Sequence, residues 1–265
     1  MLKIGFIGAG NMGSALAQTV GLTEANIFIS DASSEKAEKL ASQVGGIATD
    51  NKTIAEKCDL IFFGVKPNAL SSMIDSIKET LEERTSEFTV VSMAAGVTVD
   101  KIVSMIGFKC PVIRIMPNTP VSVGEGMILW CANNLVSDEA KEDFIASLSY
   151  AGELDELSET LIDAGCALSG CGPAFVYMFI EALADGAVEC GLPRDKAINY
   201  AIQTLLGAAA LAKETGTHTG ALKDAVCSPG GSTIAGVHAL ENGSFRATAM
   251  DAVKASFERT KELGK

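Results

Sequence analysis

The sequence predicts a doubly wound α/β domain followed by an all-helical one, on three observations. Short runs apolar on both faces alternate with segments of helix length through the first half of the chain. A G-x-G-x-x-G stands where the first such run meets the first of those segments, and beyond residue 158 the strand-like runs stop while helices continue. The 265 residues suit about two domains at ~150 residues each. The expected division is a dinucleotide-binding domain over 1–157 and a helical domain over 158–265.

In order, the strand candidates are "LKIGFIG" (2–8), "NIFIS" (26–30), "DLIFFGV" (59–65), "FTVVSMA" (88–94) and "CPVIRIM" (110–116). Buried parallel strands need apolar residues on both faces, and helical crossovers between them build a sheet whose ligand crevice lies at the strand carboxyl ends. "GMILWCA" (126–132) is a further strand candidate, followed by the polar 137–152 and the short "ELDELS" (153–158). Residues 172–191, 193–216, 219–226, 233–242 and 244–265 read as helices. In the first of these, Glu181, Asp185 and Glu189 recur every four positions, so one narrow acidic stripe marks a helix otherwise almost wholly apolar. A helical domain of this size has little interior for such helices, which points to a second subunit covering them; the alternative is a central core helix of a monomer.

Composition narrows the partners. With 33 Asp and Glu against 21 Lys and Arg, the net charge of -12 repels nucleic acid and anionic membrane surfaces, so neither is expected as a partner. The apolar run at the N-terminus is short for a signal peptide, and the stretch 197–212, broken by Asn199 and Gln203, falls short of the ~18 residues of a membrane span. Seven cysteines without a CxxC pair fit buried thiols in a reducing compartment, hence a cytoplasmic protein. No His/Cys/Asp cluster has metal-ligand spacing, so no metal is expected.

In "KIGFIGAGNMGSALA" the first glycine, Gly8, permits the tight turn, Gly10 lets a pyrophosphate approach the backbone, and Gly13 permits close helix–strand packing. Ala9, Asn11 and Met12 complete the loop. Asp31 closes the second strand, where a carboxylate accepts from an adenosine ribose and repels a 2′-phosphate. Against that, Ser30, Ser33, Ser34 and Lys36 are donors for a phosphate if Asp31 turns aside, or Asp31 simply caps the next helix. NADH and NADPH both stay open.

An alcohol dehydrogenase needs a base for the hydroxyl proton. The only histidines, His218 and His238, have no neighbouring carboxylate in sequence and read as surface or capping residues. An imine, whose nitrogen arrives protonated, suits such a site better. "CSPGGST" (227–233) interrupts the helices with residues that helices reject, so it serves something other than packing.

The chain resembles the pyrroline-5-carboxylate reductase family over nearly its whole length, through "GFIGAGNMG", "GVKP" (64–67), "MAAGV" (93–97), "MPNTP" (116–120), "LSGCGPAF" (168–175), "EALADGAVECGLPR" and, most specifically, "DAVCSPGGSTIAGVHALE". The resemblance implies a Rossmann domain followed by a helical dimerisation domain whose subunits intertwine, often into decamers. It implies reduction of Δ1-pyrroline-5-carboxylate to L-proline, the last step of proline synthesis, with hydride from NADPH or NADH. It also implies that Gly8 to Gly13 hold the pyrophosphate, Asn51 the adenosine side, Val65, Lys66 and Pro67 the cofactor's centre, and Ala94, Ala95 and Gly96 the nicotinamide end. Met116, Pro117 and Asn118 then border the ring. The loop formed by Ser228, Gly230, Gly231, Ser232 and Thr233 carries the substrate carboxylate, with Thr233 beside the ring nitrogen as the catalytic residue.

Physically, amides exposed by Gly230 and Gly231 and continued by Ser232 and Thr233 at a helix start make an anion nest, which a protein of net charge -12 needs to hold an acid. The family usually has serine where Cys171 stands, and Cys227 directly precedes the loop; both read as structural thiols rather than catalytic ones. Two other readings compete. A β-hydroxyacid dehydrogenase needs a lysine on a second-domain helix, and "SGCGPAFVYMFIEA" has none. A dinucleotide sensor without turnover has no use for a second small-anion nest.

Overall fold

The structure is a computed structural model that describes residues 1–263. Its strands are β1 (Lys3–Ile7), β2 (Asn26–Ser30), β3 (Ile47–Ala48), β4 (Leu60–Phe63), β5 (Thr89–Ser92), β6 (Val112–Met116), β7 (Gly126–Ala132) and β8 (Gly152–Glu156). In the first part of the chain they alternate with α1 (Asn11–Val20), α2 (Ser34–Val44), α3 (Asn51–Lys57), α4 (Pro67–Asp75), α5 (Lys78–Glu82), α6 (Val99–Ile106) and α7 (Asp138–Ser147). The rest is helical: α8 (Glu159–Ser169), α9 (Gly172–Glu189), α10 (Arg194–Thr215), α11 (Thr219–Val226), α12 (Ser232–Asn242) and α13 (Phe245–Leu263).

All the strands join one sheet in the order β3-β2-β1-β4-β5-β6-β7-β8, parallel throughout except that β7 runs antiparallel to β6. Chain order reverses between β1 and β4, which places the ligand crevice at their carboxyl ends. In the central strands β1, β4, β5 and β6 nearly every residue is buried, so successive side chains, alternating across the sheet, enter a core on each face. Phe6 and Phe62, paired in register, stack at 4.6 Å on one face, while Ile7, Ile61 and Phe63 enter the core on the other. Neither β3, whose two residues are too few for a periodicity, nor β8, a polar and largely exposed edge strand, is marked as a strand by the sequence, and α8 carries no assignment there. That helix packs on β7 through Ile162 and through Gly165, where a Cβ would strike Leu129.

Packing divides the chain into two compact units, Met1–Cys171 with Ser256–Lys265, and Gly172–Ala255. The second unit has a meagre interior of its own, in which Ala184 of α9 meets Ala197 and Ala201 of α10, flanked by Ile180, Val188 and Leu192. Ala184 is the one buried residue among those of α9, whereas Val176, Tyr177 and Met178 stand exposed. The monomer-core alternative is thereby rejected. The acidic stripe supplies a surface ion pair from Asp185 to Arg194. Among the described residues the stretch 159–189, rather than 197–212, is the one long and apolar enough to span a membrane by length and composition alone, and only 6% of its most apolar window is buried.

Candidate dinucleotide site and anion loop

The β1–α1 turn is a stack of glycines. Gly8 has φ +111°, and a Cβ on it would come within 2.7 Å of the Gly64 carbonyl; a Cβ on Gly64 would come within 2.8 Å of the Gly8 carbonyl, and one on Gly13 would also collide there. Gly10 differs, because its nearest protein neighbour to such a Cβ is Gly64 O at 3.9 Å, so the space beside it is open to a ligand. It serves as N-cap of α1 with no side-chain cap, and the first turn carries no acid. Amides of Asn11, Met12 and Gly13 at that turn, with the helix dipole behind them, suit a pyrophosphate. Gly64 was absent from the sequence-derived site, although the glycine ending "DLIFFG" was its signal.

At the adenosine end, Asp31 lies in a cleft of ≈ 670 Å³ with Ser30, Ser34, Glu38, Asp50 and Asn51. Asp31 Oδ2 accepts the Ala9 amide at 2.8 Å and Oδ1 the Ser33 amide at 2.9 Å. Asp31 does not cap α2: Ser33 is the N-cap, its hydroxyl accepting from Lys36 N, because the aspartate is turned back to the glycine loop. Ser30 Oγ donates to Asn51 Oδ1 at 2.7 Å, leaving the Asn51 amide hydrogens for a ligand. Asp50 caps α3, and the Thr53 amide it accepts holds its carboxyl below the usual carboxylate range.

The loops after β4, β5 and β6 come next along the same sheet edge. Lys66 is the exposed N-cap of α4 and Pro67 its first residue, with half-buried Val65 before them. Ala94 is buried, Ala95 exposed, and Gly96 at φ +73° turns the chain toward α6. Asn118, 8% exposed, donates to Ser169 O and accepts from Met127 N, both at 2.9 Å. Its side chain therefore braces the β6–β7 connection, and the backbone of Met116 to Asn118 is what can face a nicotinamide.

A buried cation that the sequence reading passed over supports this edge. Arg114, in the middle of β6 and 1% exposed, donates to Glu159 Oε1 at 3.3 Å and Asp163 Oδ1 at 2.6 Å. Glu159 Oε1 also accepts the Val99 amide at 2.7 Å, so the start of α6, after Gly96, is tied to α8. An arginine amid "VIRIM" was the available signal.

In the second unit, Gly230 takes φ +70° between α11 and α12, a conformation that side chains disfavour. The Gly231 amide donates to Ser228 O at 3.0 Å, closing the turn. Gly231 also lets the chain pass beside Ser228, where a Cβ would collide with the hydroxyl. Gly231 caps α12 without a side-chain acceptor, and the first turn, with exposed Ser232 and Thr233, holds no acid. Its amides are open to an anion. His218 Nδ1 accepts from Gly220 N and caps α11, and His238 pairs with Asn242 at 3.0 Å.

A doubly wound sheet with an uncapped, glycine-lined helix start at its switch point defines a Rossmann-type, nicotinamide-dinucleotide-dependent oxidoreductase. Residues 159–263 match the family model for pyrroline-5-carboxylate reductase dimerisation, and residues 3–96 that for coenzyme F420-dependent NADP oxidoreductase. The chain is 42% identical to the pyrroline-5-carboxylate reductase of Methanosarcina acetivorans and 40% to that of Escherichia coli, each over 99% of this chain and 98% of the relative. The crystal structure of Plasmodium falciparum pyrroline carboxylate reductase with NADP bound superposes with a TM-score of 0.89 at 34% identity, covering 100% of this chain and 98% of that one. The chain belongs to the pyrroline-5-carboxylate reductase family.

Proposed function

We propose that this chain reduces Δ1-pyrroline-5-carboxylate to L-proline, the last step of proline synthesis, using NADPH or NADH. The observation that carries the reading is the turn at Gly230, which opens onto an α12 start free of side-chain caps and of acids. Amides of Ser232 and Thr233 receive the substrate carboxylate there, each charge-assisted bond contributing roughly 1.5–3 kcal/mol. Ser228 and Gly231 close the turn that aims them. A nicotinamide bound there would supply the hydride for the imine carbon, the C=N bond becoming single while the nitrogen keeps the proton with which it arrived. Thr233, exposed in that first turn, donates its hydroxyl hydrogen to the lone pair that appears on the amine. No base is required, consistent with both histidines serving local contacts.

On the cofactor side, amides from Gly10 to Gly13 hold the pyrophosphate, with Gly8 and Ala9 shaping the turn, and Asp31 and Asn51 take the adenosine ribose. Val65, Lys66 and Pro67 flank the centre, while Ala94, Ala95, Gly96 and the Asn118 backbone border the nicotinamide. By function the chain divides into 1–157 and 158–265, supported by a dimerisation-model match that begins at residue 159. The uncovered faces of α9 and α10 join two copies, five such dimers making a decamer, and their apolarity serves that interface rather than a bilayer. Seven free thiols and a net charge of -12 support a cytoplasmic enzyme without nucleic-acid partners. The test is the loss of NADPH or NADH absorbance on adding Δ1-pyrroline-5-carboxylate. Oxidation with either supports the reading, and none with both leaves a dinucleotide sensor in its place.

A further inference from the structure

We infer that the adenosine cleft selects NADH over NADPH, with Asp31 as the specificity-determining residue. The inference rests on the proposed use of a nicotinamide dinucleotide and decides between two cofactors that the rest of the site treats alike. These differ only in a 2′-phosphate, which as a monoester carries about −1.5 to −2 charges at pH 7. The residue ending the second strand of a dinucleotide fold is the one that meets the ribose 2′ position.

Here that residue is a carboxylate that cannot swing out of the way cheaply. Asp31 bridges two loops, taking the Ala9 amide on one oxygen and the Ser33 amide on the other. Moving it would strand both amides and free the glycine turn from its tie to the β2–α2 loop. Each carboxylate oxygen keeps a second lone pair, which a ribose hydroxyl can fill and a phosphate cannot. The surroundings have the same sign, for the cleft is lined by Asp31, Glu38 and Asp50 against the single cation Lys52. Ser30, a possible phosphate donor, has its hydroxyl hydrogen committed to Asn51. The Ser33 amide is engaged by Asp31, while the Ser33 hydroxyl accepts from Lys36 N and keeps its own hydrogen to donate. The donors left to a phosphate are the Ser33 hydroxyl, Ser34, Lys36 and Lys52, the last three exposed to solvent, against the three carboxylates of the cleft. Asp50 sits at the cleft with its acidity strengthened by the Thr53 amide, so its charge persists at neutral pH.

The test is equilibrium binding of NADH and NADPH to the full-length enzyme without imine substrate, by nicotinamide fluorescence. The expected ratio of Kd for NADPH to Kd for NADH is about tenfold or more, shrinking as sodium chloride is raised. In Asp31→Asn the ratio should fall by about tenfold. Loosening of the glycine turn would weaken both cofactors together and cancel in that ratio. Glu38→Gln, on the exposed face of α2, leaves the Asp31 bonds intact and should shift the ratio the same way by about twofold; it serves if Asp31→Asn does not fold. Equal or tighter binding of NADPH by the wild type overturns the inference, as does an unchanged ratio in the variants. Failure of imine reduction with both cofactors would instead strike the proposed activity and leave the binding ratio interpretable.

Discussion

Arg114 and Asp163 meet at 2.6 Å inside the protein, joining the middle of β6 to α8, with Glu159 on the other arm of the guanidinium. Arg114 is essentially closed to solvent, and its Nε has no partner. Its removal leaves two carboxylates facing an apolar slot. Arg114→Ala should destabilise the protein by about 2–3 kcal/mol, less than for a fully buried pair because Glu159 and Asp163 keep 32% and 28% exposure. Urea unfolding at fixed protein concentration measures it. Arg114→Lys should recover only part of that, since a point charge cannot span both acids.

The glycine stack separates packing from ligand space. Gly13→Ala pushes a methyl group onto the Gly8 carbonyl and should cost both stability and dinucleotide affinity. Gly10→Ala meets no protein atom closer than 3.9 Å, so stability should change by no more than about 1 kcal/mol while cofactor affinity falls by about tenfold or more. Thermal unfolding beside a cofactor titration reads the two effects apart, and parallel losses in Gly10→Ala would show that its open side is not ligand space.

Thr233→Ala should lower turnover of the imine by about two- to tenfold, the worth of one hydrogen bond to the neutral amine that forms. Affinity for the dinucleotide should stay nearly intact. If steady-state kinetics and cofactor titration fall together, Thr233 has been given the wrong partner.

Burial raises the thiol of Cys58 to about 12 and those of Cys110 and Cys131 to about 11 each, from 9.0. Above pH 9 the unfolded chain releases these protons while the folded one keeps them, so the folded state binds more protons and stability falls as pH rises. The loss should begin near pH 9 and continue to about pH 11–12. Unfolding midpoints across that range should fall less steeply in Cys110→Ala. By the same burial these thiols should resist iodoacetamide at pH 8 in the folded enzyme, whereas exposed Cys190 reacts.

The uncovered helices make a prediction about assembly. Met178 and Leu206 are 68% and 59% exposed in one copy of the chain. Met178→Glu combined with Leu206→Glu should convert a dimer or larger species to a monomer in sedimentation velocity, because a buried apolar interface does not tolerate unpaired carboxylates. An unchanged sedimentation coefficient would show that copies join through another surface.

What the chain determined locally was legible as a string: both-face apolarity marked six of the strands, including β7, the glycine spacing marked the cofactor turn, and a helix-breaking heptad marked a loop with its own purpose. These depend on residues near one another in sequence, where periodicity and backbone preference act directly. Tertiary structure decided what depends on distant partners. Asp31 could be read as a ribose acceptor or a helix cap, and only the approach of Ala9, 22 positions away, turned it to the glycine loop. The Gly231 amide is taken up by Ser228 only in the folded turn, and Arg114, one letter in an apolar strand run, gains its two acids only when α8 packs beside β6. Two residues of β3 carry no pattern, and they become a strand because β2 offers its open edge. A hydrogen bond or charge pair between remote segments leaves no local periodicity, so those residues acquired their roles only when the chain closed on itself.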